Sequence, residues 1–210
     1  MELYFSPLAC SLATRIAFYE AGASATYVEV DTKTKTTLDG RDFRKLNPLG
    51  LVPTLRTDDG AVLTENAAIL QYVADRVSSD LAPKEGFARA QLQQWLCFIG
   101  TELHKAIFGI VFDKSTSAEI KAYAFEKGKS RWEMLNTHLT GREFLLDQFS
   151  VADAYLVTVL NWCQVTPIKL ADYPALDAYL NRLRARPSVA KALAEELPLY
   201  LKEQARAKVA

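Results

Sequence analysis

The sequence predicts an α/β unit followed by an all-helical one, joined by a short polar linker. Three observations carry this. Apolar alternation and a hairpin signal fill the first 77 residues, and a polar stretch containing Pro83 and ending at Gly86 follows. Beyond it, apolar residues recur at helical spacing nearly to the end. The expected boundaries are 1–78 for the first domain, 79–86 for the linker and 87–210 for the helical domain.

The bulk numbers exclude several classes. Half of the 210 residues are hydrophobic, so the chain can bury a core and is not disordered. Its 25 basic and 25 acidic residues cancel, which leaves no footprint for nucleic acid or an anionic membrane. No stretch stays apolar for the ~18 residues a membrane span needs. Three cysteines without metal-ligand spacing, and no basic segment ahead of an apolar one, predict a cytoplasmic protein with no metal.

Taken in order, Glu2–Phe5 reads as a strand, Ser6–Ala9 as a turn, Leu12–Ala21 as a helix and Thr26–Val30 as an alternating strand. Val52–Leu55 and Ala61–Leu63 flank an Asp–Gly pair, a strong hairpin signal. Thr64–Val77 returns to helical spacing. Helices are then expected over 86–112, 116–138, 150–165, 174–185 and 187–196, with a tail beyond Pro198. Ser150-x-x-Asp153 has the form of a capping box, with Asp in place of Glu or Gln, and is assigned to folding.

Cys10 falls where the first strand runs into the first helix. There the unpaired N–H groups and the positive end of the helix favour a thiolate, although cysteine is often simply buried. Ser11 shares the position. Ala13 stands where a redox Cys-x-x-Cys would carry its second cysteine, so disulfide chemistry at Cys10 requires an external thiol. Pro53, after Val52, is either an edge-strand residue or a cis proline that turns the preceding backbone toward an extended ligand. Thr64–Glu65–Asn66 is either helix capping or a carboxylate-binding helix start with Glu65 facing an ammonium. Lys35 lies in a polar loop, as solvated surface or as a point charge for a carboxylate. In the next domain Trp95, Ile99, Leu103, Ile107 and Ile110 form a core stripe, and Cys97, Thr101 and His104 fall on another face beside Lys105. His104 should therefore line a cleft, meet a partner or face solvent. His138 reads as a surface or capping residue and Cys163 as inert core.

Together the segments LYFSPLACSLATRIA, NPLGLVPTL, LTENAAILQYVAD, WLCFIGTELHK and FSVADAYLVTVL resemble the cytosolic glutathione transferases, most closely the bacterial beta class, along essentially the whole chain. The resemblance implies the glutathione transferase fold, with a thioredoxin-like N-terminal domain and an all-α C-terminal domain. It also implies a homodimer with glutathione in the interdomain crevice. It makes Pro53 the family's cis proline and Cys10, with Ser11 and His104, the catalytic group. Val52 becomes the backbone partner of the cysteinyl part of glutathione. Glu65 and Asn66 become the γ-glutamyl pair and Lys35 the contact for the glycyl carboxylate. Cys97, Thr101, His104 and Lys105 are expected to complete the glutathione site. Two positions depart from the pattern. Cys97 stands where the beta class commonly has an asparagine that reaches the neighbouring subunit's glutathione, and Asn66 replaces a small residue.

The expected activity is transfer of the glutathione thiolate to small apolar electrophiles, with thiol–disulfide exchange through Cys10 as a second mode. Phe108 and Phe112 are candidates for apolar contact. The alternative is a non-catalytic binding protein of the same fold, for glutathione or a hydrophobic ligand.

Overall fold

β1 (Glu2–Phe5) is the central strand of a five-stranded sheet, and its near-continuous apolar sequence reflects burial on both faces. The structure is a computed structural model that describes residues 1–77 and 79–209. Ser78, the expected last residue of the first domain, lies outside the described residues, as does Ala210. β1 pairs in parallel with β2 (Thr26–Asp31) and antiparallel with β4 (Thr54–Arg56). The two-residue β3 (Thr36–Thr37) adds to β2, and β5 (Val62–Thr64) adds to β4, giving the order β3-β2-β1-β4-β5. The β4–β5 hairpin turns through Asp58–Asp59–Gly60, as its Asp–Gly pair predicts. One face of the sheet carries α1 (Leu12–Glu20) and α2 (Asn66–Val77), which pack on each other and bury Ile16, Phe18, Ile69 and Val73 among other residues. On the other side Tyr4, Val30 and Phe43 form a small cluster, with the Tyr4 and Phe43 rings stacked at 5.5 Å.

The chain's last helix joins this unit. α8 (Pro187–Val209) packs on α1, and the chain from Arg186 onward is compact with Met1–Ala82. The expected domain 87–210 is therefore corrected: residues beyond Ala185 complete the N-terminal unit. The physical reason is ionic. Arg186 donates to the Glu20 carboxylate, with Nε at 2.9 Å, and Ser188 adds a hydroxyl at 2.5 Å. Farther along, Arg15 is paired by Glu195 and Glu196. α8 also runs through Pro198 instead of stopping near 196. The cost of one lost N–H and a ring clash is local, and the helix is already anchored in the preceding turn.

Pro83–Ala185 forms the second unit. Its elements are α3 (Gly86–Phe98), a π-helical segment (Ile99–Phe108), α4 (Gly109–Val111), α5 (Ala118–Leu139), α6 (Val151–Asn161) and α7 (Pro174–Arg184). The single helix expected over 86–112 is thus interrupted by ten π-helical residues. Trp95, Ile99, Leu103 and Ile107 of the expected core stripe are all buried. α6 is buried from Val151 through Leu160 and forms the centre of the unit, then passes into a 3₁₀ turn at Trp162–Val165. Among the described residues no helix is long and apolar enough to cross a membrane.

The α6 cap does more than end a helix. The buried Asp153 carboxylate accepts from the Ser150 N–H at 2.9 Å, the Ser150 hydroxyl at 3.0 Å, the Leu145 N–H at 2.9 Å and the Tyr179 hydroxyl at 2.8 Å. Asp153→Ala would strand these donors in the interior. It is expected to cost about 3 kcal/mol, more than an N-cap alone, measured as the drop in unfolding free energy in urea.

Candidate functional site

In the first unit, three segments distant in sequence meet around Cys10. The residue lies in the turn between β1 and α1, one position before the helix cap Ser11, and is 8% exposed. Its Sγ donates to the Val52 carbonyl at 3.3 Å. The Val52–Pro53 peptide is cis, so the cis alternative for Pro53 holds. Ser11 does not present its hydroxyl beside the thiol. The side chain is buried and turned back on Ser6, accepting from its N–H at 3.3 Å and donating to its carbonyl at 3.2 Å. A hydroxyl so engaged staples the turn.

Lys35 is the next part. It has φ 60° and its Nζ donates to the Gly50 carbonyl at 3.0 Å. Gly50 has φ +61°, and a Cβ there would lie 2.7 Å from Lys35 Cδ, so only glycine leaves room for the lysine stem. The ammonium is thereby held on the loop that leads into Val52. The start of α2 supplies the third part. Glu65 is exposed with φ 69°, a conformation rarely adopted by a residue with a side chain, and its carbonyl accepts the first helical N–H, from Ile69. Asn66 is 6% exposed. Its Oδ1 accepts from the Thr14 hydroxyl at 3.3 Å, while among the described residues its Nδ2 has no hydrogen-bond partner. The Cys10 segment is therefore tied to the Val52 loop through the thiol and to α2 through Thr14. The region carries a cation, a carboxylate and a buried amide donor.

In the second unit, the π-helical segment carries Thr101, His104 and Lys105, and Cys97 precedes it. π-helical segments are rare and recur at functional sites. Cys97, Thr101 and Lys105 are exposed, and the Thr101 hydroxyl donates back to the Cys97 carbonyl at 2.9 Å. His104 is partly buried. Its Nδ1 lies 2.7 Å from the Tyr155 hydroxyl, and its ring is 5.0 Å from that of Trp162. Burial, with a smaller push from Lys105, lowers its pKa to about 4. The ring is neutral at physiological pH. It therefore offers a hydrogen bond to an anion, not a positive charge. Phe108 is fully buried behind Phe112 and Trp162, so only Phe112 of the expected pair presents an exposed face. His138 is likewise no surface residue. Its ring sits 4.5 Å from Trp95 and its Nε2 is 2.9 Å from the Leu145 carbonyl. Cys163 is buried, and burial pushes its thiol up to about 12, as expected of inert core. Tyr155 was missed from the sequence, yet it carried a signal: a phenol in an otherwise aliphatic helix needs a polar partner.

A family model described as the N-terminal domain of glutathione S-transferase matches residues 9–76, and one for the C-terminal domain matches residues 95–187. The chain belongs to the glutathione S-transferase family. Among its relatives in that family, glutathione S-transferase GstA of Escherichia coli O157:H7 is 38% identical over 199 residues, covering 93% of this chain and 98% of that one. A sphingomonad glutathione S-transferase complexed with glutathione superposes with a TM-score of 0.89 at 45% identity, over 93% of this chain and 98% of that one. The beta class enzyme of Sphingomonas chungbukensis does so with the same TM-score and coverage at 43% identity.

The neutral state of His104 has a measurable consequence. As pH falls, the unfolded chain takes up the proton before the folded one does. His104 therefore adds stability that is full above pH 6.5 and is lost as pH falls through about 4. NMR titration of the ring is expected to show a midpoint near 4. His104→Gln should remove the matching slope from the unfolding free energy across that window.

Proposed function

We propose that this chain is a glutathione S-transferase that joins the glutathione thiolate to small apolar electrophiles and also exchanges disulfides with glutathione through Cys10. The observation that carries the reading is the Cys10 Sγ held 3.3 Å from the Val52 carbonyl at the cis Val52–Pro53 peptide. It puts a thiol beside a backbone strand end able to pair with an extended peptide. In this reading Lys35 takes the glycyl carboxylate, and the Val52 backbone pairs with the cysteinyl unit beside Pro53. Glu65 takes the γ-glutamyl ammonium and the Asn66 amide its carboxylate. The unpartnered, buried Asn66 Nδ2 supports the last assignment, because a donor without an acceptor is costly there. The sphingomonad relative with glutathione bound supports the ligand.

For conjugation, the glutathione sulfur attacks the electrophilic carbon, forming an S–C bond as the leaving group departs or a proton is added. In the exchange mode, the Cys10 thiolate attacks one sulfur of glutathione disulfide. The S–S bond breaks, glutathione leaves as thiolate and a mixed disulfide remains on Cys10. The N-terminal end of α1 favours the anion. The helical unit carries a set of its own: Thr101, neutral His104, Lys105 and the exposed Cys97 thiol, with Phe112 and Trp162 as apolar surface. The working assembly in this reading is a homodimer.

Incubation with glutathione disulfide, followed by intact mass and peptide mapping, tests the exchange mode. One glutathione adduct on Cys10 is expected, absent in Cys10→Ala, while conjugation of an aryl halide partly survives in that variant. An adduct confined to Cys97 overturns the assignment. Lys35→Met is expected to weaken glutathione binding about tenfold, the loss of roughly 1.4 kcal/mol for one charge-assisted contact, read by calorimetric titration.

A further inference from the structure

Leu8, two residues before Cys10, has φ 57°, a left-handed conformation that its branched side chain does not favour. Something must hold it. Its N–H donates to Glu196 Oε2 at 2.7 Å, across 188 residues of chain. Glu196 belongs to α8 and is 0% exposed. Its other oxygen, Oε1, lies 2.8 Å from Arg15 Nε. Arg15 is itself 4% exposed and is fixed on every side. Its Nη1 meets Glu195 at 3.1 Å and Tyr19 at 3.3 Å, and its plane lies 3.8 Å from the Tyr27 ring centroid and 4.5 Å from that of Phe5. The carboxylate thus has one oxygen in an ion pair with a buried guanidinium and the other on the turn that precedes the thiol.

We propose that Glu196 is a positioning residue for Cys10: its buried carboxylate grips the Leu8 N–H, fixes the left-handed turn and so sets the reactivity of the thiol from the far end of the chain. The inference rests on the reading of Cys10 as a reactive thiol and deepens it. A charged acceptor holds a backbone N–H about twice as strongly as a neutral one, so the grip tightens when Glu196 ionises. The titratable and charged groups around it are Arg15 and Tyr19 of α1, Tyr27 of β2 and Glu195 of α8. Burial pushes the Glu196 carboxyl up to about 7 against the pull of Arg15. The grip therefore strengthens as pH rises through neutrality.

The test follows Cys10 alkylation by iodoacetamide, peptide by peptide, from pH 5.5 to 9. Three proteins are compared: the wild type, Glu196→Gln, and Glu20→Gln. The last cuts a different tether between α1 and α8 without touching the Leu8 turn. The wild type is expected to give a profile steeper than one thiol ionisation, with an inflection near 7. Glu196→Gln should lose that inflection and react roughly fivefold more slowly at pH 7.5, the effect of replacing a charged acceptor by a neutral one. Glu20→Gln should stay within about twofold although both variants lower Tm. Equal slowing in the two variants, an unchanged profile in Glu196→Gln, or a wild-type profile with a single ionisation overturns the proposal. So does a wild-type Cys10 that iodoacetamide does not reach. Glutathione disulfide is added in parallel. A Cys10 that is alkylated with the expected profile yet takes no glutathione leaves the Glu196 grip standing and removes the exchange reading.

Discussion

A guanidinium inside a protein keeps its charge, so burying one dictates what surrounds it. Arg15 imposes that constraint on the α/β unit. Its position on α1 places it against the rings of Phe5 and Tyr27, which cover its faces but supply no countercharge. The carboxylates come from Glu195 and Glu196, so α8 has to lie along α1. With α8 in place, Glu196 reaches the Leu8 turn and Arg186 reaches Glu20. The position of the last helix, the closure of the sheet's helical face and the shape of the turn before Cys10 are consequences of one buried cation.

The unit's backbone strain is concentrated in the same place. Among the described residues, the non-glycine positions with positive φ are Leu8, Lys35 and Glu65. Each lies in a segment of the candidate site: the Cys10 turn, the loop that holds the ammonium on Gly50, and the start of α2. Each is held by contacts from elsewhere. Leu8 is bonded to Glu196, the Lys35 side chain to Gly50, and Glu65 is followed by Asn66, tied to Thr14. Strained conformations persist only where neighbours over-determine them. Here those neighbours are the buried groups of the unit's core.

Much of this was legible in the sequence. The hairpin around Asp59–Gly60, the capping box at Ser150 and Asp153 and the helical second unit follow from local chemistry that the fold does not override. The cis form of Pro53 was not legible from base rates, only from the set of segments around it. The π-helical segment was not legible, because its apolar spacing is one that an ordinary helix face also shows. His104 was placed on a helix face apart from the core stripe, but its neutral state was not legible, because its pKa depends on burial in the folded chain. The place of α8 was not legible at all. Glu195 and Glu196 look like ordinary surface carboxylates until Arg15, 180 residues earlier, is seen to need them.

A chain made from its N-terminus meets this arrangement in sequence. Arg15 leaves the ribosome early, and its carboxylates follow only after Pro83–Ala185 has been made. At ~5–20 residues per second the 180 residues between Arg15 and Glu195 take roughly 9–36 s, long enough for a small domain to fold many times over. During it, the α/β segment holds a cation that lacks its partners, so its completion waits for the last helix to arrive. The order of translation thus places the finished thiol turn late, and a nascent chain carries an immature Cys10 until Glu196 is in place.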